Sequence, residues 1–250
     1  MGFGIYNLKN SIRHSLADVL DHLIKMSLNP KTVIDVGVAY GTNDLYEKFP
    51  AAFHLLIEPL EEYRVVLETI SKKYNAQYEL AAAGADIGSI EINVHPDLSG
   101  SSLFKETEDS NVNGIHRKVK MITIDDACYR RNLSGPYLIK IDTQGAELLV
   151  LEGAKKTLVE TEAVILEVSL FQFFQDGPQL YDVIVWMKNQ GFVTYDLFGG
   201  HNRYLDGALA QIDMVFVKEN GFLRKDHAYA TREQREELII LISADNPKNN

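Results

Sequence analysis

Several things are scarce in this chain, and each scarcity excludes something. A single cysteine, Cys128, stands among 250 residues. It rules out an internal disulfide and any cysteine-based zinc site, and makes a reducing, cytoplasmic setting the simplest expectation. Positive charge is also scarce, with 25 Lys and Arg against 35 Asp and Glu and a formal net charge of −10. Phosphate backbones are gripped by clustered Lys and Arg, so no nucleic-acid partner is expected. No apolar run approaches the roughly 18 residues of a membrane helix, so no membrane span is expected either. The opening Met1-Gly2-Phe3-Gly4-Ile5-Tyr6 lacks the basic start and apolar stretch of a secretory signal. Tyr6 stands where a myristoylation motif wants Ser or Thr. No internal repeat is present.

What remains is the mix of an ordinary globular α/β protein, 46% hydrophobic and 24% charged. A helix is expected over residues 10–28, with Ile12, Leu16, Val19, Leu20, Leu23 and Ile24 on one face. Buried strands are expected at 32–36, 53–57, 137–141 and 163–168, where β-branched and apolar residues run together. Helices are expected at 60–73, 146–159 and 180–189, with a shorter one closed by Pro50. Strands at 78–83, 89–94 and 118–124 break the alternation, with a polar loop at 96–113 between the last two. The final strands, 192–197 and 212–217, have no helix between them and read as an antiparallel hairpin. A helical stretch, 236–242, precedes a polar end. The alternation predicts a doubly wound, mostly parallel sheet. An N-terminal helical segment (1–30), a Rossmann-like core (31–218) and a helical tail (219–250) are expected to make one domain. The terminal amphipathic helices could cover the sheet or pair two subunits as a homodimer.

The run Val33-Ile34-Asp35-Val36-Gly37-Val38-Ala39-Tyr40-Gly41 places an acid two residues before the first glycine of a strand-to-helix turn. A pyrophosphate needs bare N–H groups and no nearby carboxylate. An acid there suits instead a ligand bearing an ammonium and a sulfonium, S-adenosylmethionine. Glu58, followed by Pro59, ends the second apolar strand, where an acid accepts hydrogen bonds from ribose hydroxyls. Asp35, Gly37, Val38, Tyr40, Gly41, Glu58 and Pro59 are therefore candidate cofactor residues. The plainer alternative makes Asp35 a turn carboxylate and Glu58 a solvated residue. A nicotinamide oxidoreductase would need a third glycine in the turn, which Thr42-Asn43-Asp44 does not supply.

Further along stands Leu138-Ile139-Lys140-Ile141-Asp142-Thr143-Gln144-Gly145-Ala146-Glu147, then Val150-Leu151-Glu152-Gly153-Ala154. With Val33-Ile34-Asp35-Val36-Gly37, Glu58-Pro59, Thr123-Ile124-Asp125-Asp126 and Leu166-Glu167-Val168, in that order along the chain, this resembles the FkbM-type S-adenosylmethionine-dependent methyltransferases over residues 31–218. Gln144 departs from the pattern, since an acid is common at that place. The resemblance implies a class I methyltransferase fold: a seven-stranded, mostly parallel sheet with an antiparallel last strand and a hairpin insertion. It implies O-methyl transfer to a small-molecule, sugar or glycan hydroxyl.

A hydroxyl acceptor must lose a proton, which calls for a placed base or a metal. Asp142 is the leading candidate for base or orienting acid, with Glu167 as its partner. Asp142 could equally cap the helix beginning near Ala146. The two carboxylates could instead hold a Mg²⁺-like ion, though no third carboxylate is adjacent in sequence. His201, in an expected loop at 199–203, is the other base candidate, and a loop histidine is more often a surface residue. Lys140, inside an apolar strand, needs a carboxylate partner and is expected to be structural. Ser102 lies in a Ser-Ser-Leu recurrent in the family, so the long loop could be a lid over the cofactor. Ala83 and Asp86 follow the third strand, where such enzymes contact adenine. A non-catalytic cofactor-binding module remains the alternative from another class.

Overall fold

The computed structural model describes residues 12–108 and 111–245. The first two residues of the expected 10–28 helix, residues 109–110 of the long loop and the end 246–250 lie outside the described residues.

The first half of the chain carries α1 (Leu16–Lys25), β1 (Thr32–Val36), α2 (Asn43–Lys48), β2 (Phe53–Glu58), α3 (Arg64–Lys73), β3 (Ala76–Leu80), β4 (Ala82–Ala83), β5 (Gly88–Val94) and β6 (Ile115–Ile122). The second carries α4 (Ile124–Arg130), β7 (Tyr137–Ile141), α5 (Glu147–Glu152), α6 (Lys155–Val159), β8 (Thr161–Ser169), α7 (Leu180–Asn189), β9 (Phe192–Asn202), β10 (Leu209–Lys218) and α8 (Arg232–Asp245).

Among the described residues the main sheet has seven strands in the order β3-β2-β1-β7-β8-β10-β9. All neighbours are parallel except those of β10, which runs antiparallel to both β8 and β9. This is the class I methyltransferase arrangement, and the expected fold class holds. The hairpin insertion holds too: β5 pairs antiparallel with β6, and β4 joins them in a small second sheet. The last strand does not lie at the rim. It slots between β8 and β9.

The central strands are buried on both faces, as parallel strands covered by helices must be. Ile34, Val36, Ile139, Ile141, Val164 and Leu166 point to one side, under α4 to α7. Val33, Leu56, Leu138, Ile165 and Val215 point to the other, under α1 to α3.

Several boundaries differ from the sequence expectation. The first helix begins at Leu16 because Ser15 caps it, its side chain accepting from the Asp18 N–H while Asp18 answers back. Ile12 lies before that cap and is 76% exposed, so it does not share the buried face. The expected 78–83 strand is two strands in different sheets, parted at Ala81. The expected 118–124 strand ends at Ile122, because Thr123 caps α4 through the Asp126 N–H. The expected 146–159 helix breaks at Gly153, where a Cβ would sit 2.0 Å from the Gly84 carbonyl oxygen. The main chains touch there, so only glycine fits at the break.

Candidate active site

Two clefts open at the carboxyl ends of the parallel strands, where ligands of open α/β sheets bind. They share one residue, Asp142.

The first cleft lies over β1, β2 and β4 and is mostly apolar. Val36, Ile57, Leu60, Tyr63, Ala82, Ala83, Ile92, Leu98 and Leu103 line it, with Ser101 and Ser102 from the loop after β5. The 98–103 segment thus forms one wall. It is fastened by Asn93–Ser102 backbone bonds and by the Ser102 hydroxyl, which donates to the Gln144 carbonyl at 2.6 Å. Glu58 supplies a buried carboxylate. One oxygen accepts the Ala39 N–H (3.0 Å) and the other the Leu60 N–H (2.9 Å). Burial nonetheless pushes its carboxyl up to about 7, with Asp35 and Asp142 adding to the rise against those two hydrogen bonds.

The second cleft lies over β7, β8 and β10 on the α1–α2 side. Gly41, Thr42, Asn43, Asp44, Lys140, Asp142, Glu167 and Asp213 line it, with Leu16, Ile165 and Phe198. Strand register builds it. Asp35 stands beside Lys140, Lys140 beside Ile165, and Glu167 beside Asp213. The pleat alternates side chains, so these polar residues share the face of Val33, Leu138, Ile165 and Val215. Lys140 is buried, which works against its charge, but Asp142, Asp35 and Asp213 hold its pKa above the usual lysine value. Its ammonium meets Asp142 Oδ2 at 3.1 Å. Asp142 Oδ1 and Glu167 Oε2 both accept from the Gln144 amide, at 3.0 and 2.8 Å. The Gln211 amide reaches the same Glu167 oxygen at 2.8 Å. Burial, then Asp142 and Asp213, push Glu167 up to about 8. Burial and Asp142 push Asp213 up to about 6.

Between the clefts, residues 143–145 form a tight turn closed by buried Glu147. Its Oε1 accepts from the Thr143 N–H, the Thr143 hydroxyl and the Gly145 N–H at 3.1–3.2 Å. Ala146 stands at the N-cap of α5 with no side-chain cap, and Asp142 is engaged instead by Lys140 and the Gln144 side chain, so the capping alternative for Asp142 falls. Gly37, with φ +77, has its own reason. A Cβ there would lie 1.8 Å from the Asp142 carbonyl oxygen, so β1 and β7 can turn side by side only with glycine.

Of the residues expected at the cofactor, Gly37, Glu58, Pro59, Ala83, Ser102 and Asp142 line the first cleft. The others do not. Asp35 is fully buried, on the opposite face from Val36. One of its oxygens accepts the Tyr46 hydroxyl at 2.5 Å, and the other has no hydrogen-bond partner. It underlies the second cleft as a counter-charge to Lys140. Val38 is core. Tyr40 is 69% exposed and reaches the cleft only through an edge contact with Tyr63, 5.1 Å between ring centres. Gly41 lines the second cleft. Asp86 sits exposed in the turn before β5. His201 lies on β9, not in a loop, and is exposed opposite Gln211 on the sheet's edge strand, lining neither cleft.

Asp213 and Gln211 escaped the sequence reading, Gln144 entered it only as a departure from the family pattern, and Lys140 only as structural. Lys140, Glu167, Gln211 and Asp213 are polar residues of matching parity within apolar strands, but only the pairing of β10 with β8 brings the last two to the cleft. Among the described residues, no group of three or more His, Cys, Asp or Glu is placed to hold a metal ion. No described helix is long and apolar enough to cross a membrane.

Residues 35–194 match the methyltransferase FkbM domain. The chain belongs to the FkbM methyltransferase family. This FkbM protein is accordingly a methyltransferase with S-adenosylmethionine as its methyl donor, which excludes the nicotinamide oxidoreductase. No curated protein matches its sequence. Solved structures similar to it include precorrin-6y C5,15-methyltransferase from Geobacter metallireducens GS-15, at 11% identity and TM-score 0.43, covering 81% of this chain and 87% of that one. Magnesium protoporphyrin IX methyltransferase from Synechocystis PCC 6803 with bound SAM is 11% identical, TM-score 0.44, covering 84% and 86%. M. jannaschii TYW2 in complex with AdoMet is 12% identical, TM-score 0.38, covering 83% and 79%.

Proposed function

We propose that this FkbM protein is an O-methyltransferase that binds its donor in the apolar cleft and a hydroxyl acceptor, a sugar or a hydroxylated metabolite, in the acid-lined one. One observation carries the reading: Asp142 belongs to both clefts, so a group held in either meets the other at that carboxylate.

The first cleft has the chemistry the donor requires. Each Glu58 oxygen is held by one backbone N–H and keeps lone pairs to accept from a ribose diol. The apolar walls, Ala83, Ile92 and Leu98 among them, give an adenine ring a place to lie out of water. S-adenosylmethionine supplies an electrophilic methyl group when bound.

On the acceptor side the chain's own residues place the oxygen and take its proton. Asp142, engaged by Lys140 and Gln144, is a fixed acceptor that orients the hydroxyl. Placement of this kind supplies much of the rate in a displacement reaction. Glu167, raised to about 8, suits the base: a carboxylate that ionises near working pH takes a hydroxyl proton better than an ordinary one. Asp213, its cross-strand neighbour, keeps it raised. The free, buried Cys128 fits a cytoplasmic setting.

The test is a methyl-transfer screen with labelled S-adenosylmethionine against hydroxylated sugars and metabolites, with products located by mass spectrometry. Label on a hydroxyl oxygen supports the reading. Label appearing only on nitrogen or carbon overturns it.

A further inference from the structure

Gln144 stands outside the chemistry above, yet three features meet on it. Its backbone is left-handed, φ +52, a conformation that side chains other than Asn and Asp rarely adopt. Strain of this kind persists only where the surroundings impose it. Its carbonyl accepts the Ser102 hydroxyl, which comes from the wall segment of the donor cleft. Its amide nitrogen spans the acid pair, donating to Asp142 Oδ1 and to Glu167 Oε2. An amide has two N–H donors and no ionisable proton, so it can bridge two carboxylates without adding a charge.

We propose that Gln144 is a positioning residue whose amide fixes the Asp142–Glu167 pair while its carbonyl ties that pair to the 98–103 segment beside the donor. The proposal rests on reading Asp142 and Glu167 as the acids of the acceptor side. Gln144 touches neither the acceptor oxygen nor the methyl group in this scheme. It acts through the two carboxylates.

The groups facing the pair come from every element around it: Lys140 on β7, Asp35 on β1, Asp213 on β10, Glu147 on α5, Asp44 on α2 and, across the partition, Glu58 on β2. Burial, Asp142, Asp213 and Glu147 all oppose ionisation of Glu167, and the Gln144 hydrogen bond favours it. Without that amide, Glu167 ionises at higher pH. Loss of the Ser102 hydroxyl frees the Gln144 carbonyl to relax. The amide then drifts from the pair, giving a smaller change of the same sign.

The experiment is a carboxyl ¹³C NMR titration of the full chain labelled at its Asp and Glu side chains. Loss of a signal in Glu167→Gln and in Asp142→Asn identifies the pair. In Gln144→Met, of equal length but without donors, Glu167 is expected to titrate higher by about half a pH unit or more, roughly threefold in its ionisation constant. Ser102→Ala is expected to move it the same way by less, and the double variant no further than Gln144→Met alone. An unmoved Glu167 in a folded Gln144→Met overturns the positioning role. An unmoved Glu167 in Ser102→Ala overturns the tie to the wall segment. Should Gln144→Met fail to fold, Gln144→Asn replaces it, since asparagine tolerates the left-handed backbone and withdraws the amide by one methylene. Glu167 raised there supports the proposal, and Glu167 unchanged overturns it. Failure of the acceptor-side reading is separate and shows as undiminished methyl transfer in Glu167→Gln, a measurement the titration does not use.

Discussion

The two clefts that meet at Asp142 hold their charge in contrasting ways. In the cleft assigned to the donor, about 160 Å³, a buried carboxylate, Glu58, is pinned by two main-chain N–H groups against apolar walls. In the cleft assigned to the acceptor, about 440 Å³, Lys140 meets Asp142, the Gln144 amide joins Asp142 to Glu167, and Asp213 lies across from Glu167 on the next strand. A carboxylate fixed by backbone keeps its place whatever its neighbours do, which suits recognition of a constant ligand. Carboxylates crowded against one another, with one lysine and side-chain amides to hold them, respond to every proton gained or lost, which suits proton transfer.

The sharpest way to break this contrast is at the shared residue. Asp142→Asn is expected to slow single-turnover methyl transfer by about 10²–10⁴-fold, while S-adenosylhomocysteine binding, read by calorimetry, changes by less than about tenfold. Equal losses in both would erase the division of labour. Next in size is Glu167→Gln, expected to cost about 10²-fold in turnover. It should also flatten a rate profile that otherwise rises through about pH 8 as Glu167 ionises. A limb at pH 8 surviving in that variant would move the proton acceptor to another group. On the donor side, Glu58→Gln is expected to weaken S-adenosylhomocysteine about tenfold, near 1.4 kcal/mol, and to leave the pH 8 limb standing. Unchanged affinity would remove Glu58 from the donor site.

The smallest expected effect concerns stability. Glu167, raised to about 8, and Asp213, raised to about 6, lie above their ordinary values of 4.5 and 3.8. In that window the folded chain binds more protons than the unfolded one, so stability falls as pH rises through it. Glu167→Gln should therefore raise the melting temperature at pH 8.5 by a few degrees, about 2–4 °C per kcal/mol for a chain of this size. At pH 5, below both raised values, the gain should be small. A gain of the same size at both pH values would mean that relief of charge is not its source.

The core strands were legible because burial on both faces leaves only an apolar run to read. Thr32–Val36, Tyr137–Ile141 and the helix Leu180–Asn189 carry the expected boundaries. The misread boundaries have local chemical causes that periodicity does not report: the Ser15 and Thr123 caps, the main-chain contact at Gly153, and the parting of two strands at Ala81. For the site, Glu58, Asp142 and Glu167 were visible as acids ending apolar strands. Asp35 has the same look and lies in another place, because the face a residue occupies depends on the strand's pleat and not on its distance from the glycine turn. Asp213 and Gln211 were hidden because their role depends on β10 lying beside β8, a pairing between distant segments. Gln144 showed only as a departure from a pattern, and its partners give that departure a meaning.

The placement of β10 also sets an order of completion during synthesis. Every residue lining the donor cleft lies between Val36 and Ala146, so that pocket's parts have all been made with more than a third of the chain still to come. The acceptor cleft waits for Asp213, on a strand made after β9 that must settle between β9 and β8. On the proposed assignment, a nascent chain owns all the pieces to hold the methyl donor well before it has Glu167 and Asp213, the later carboxylates of the acceptor side.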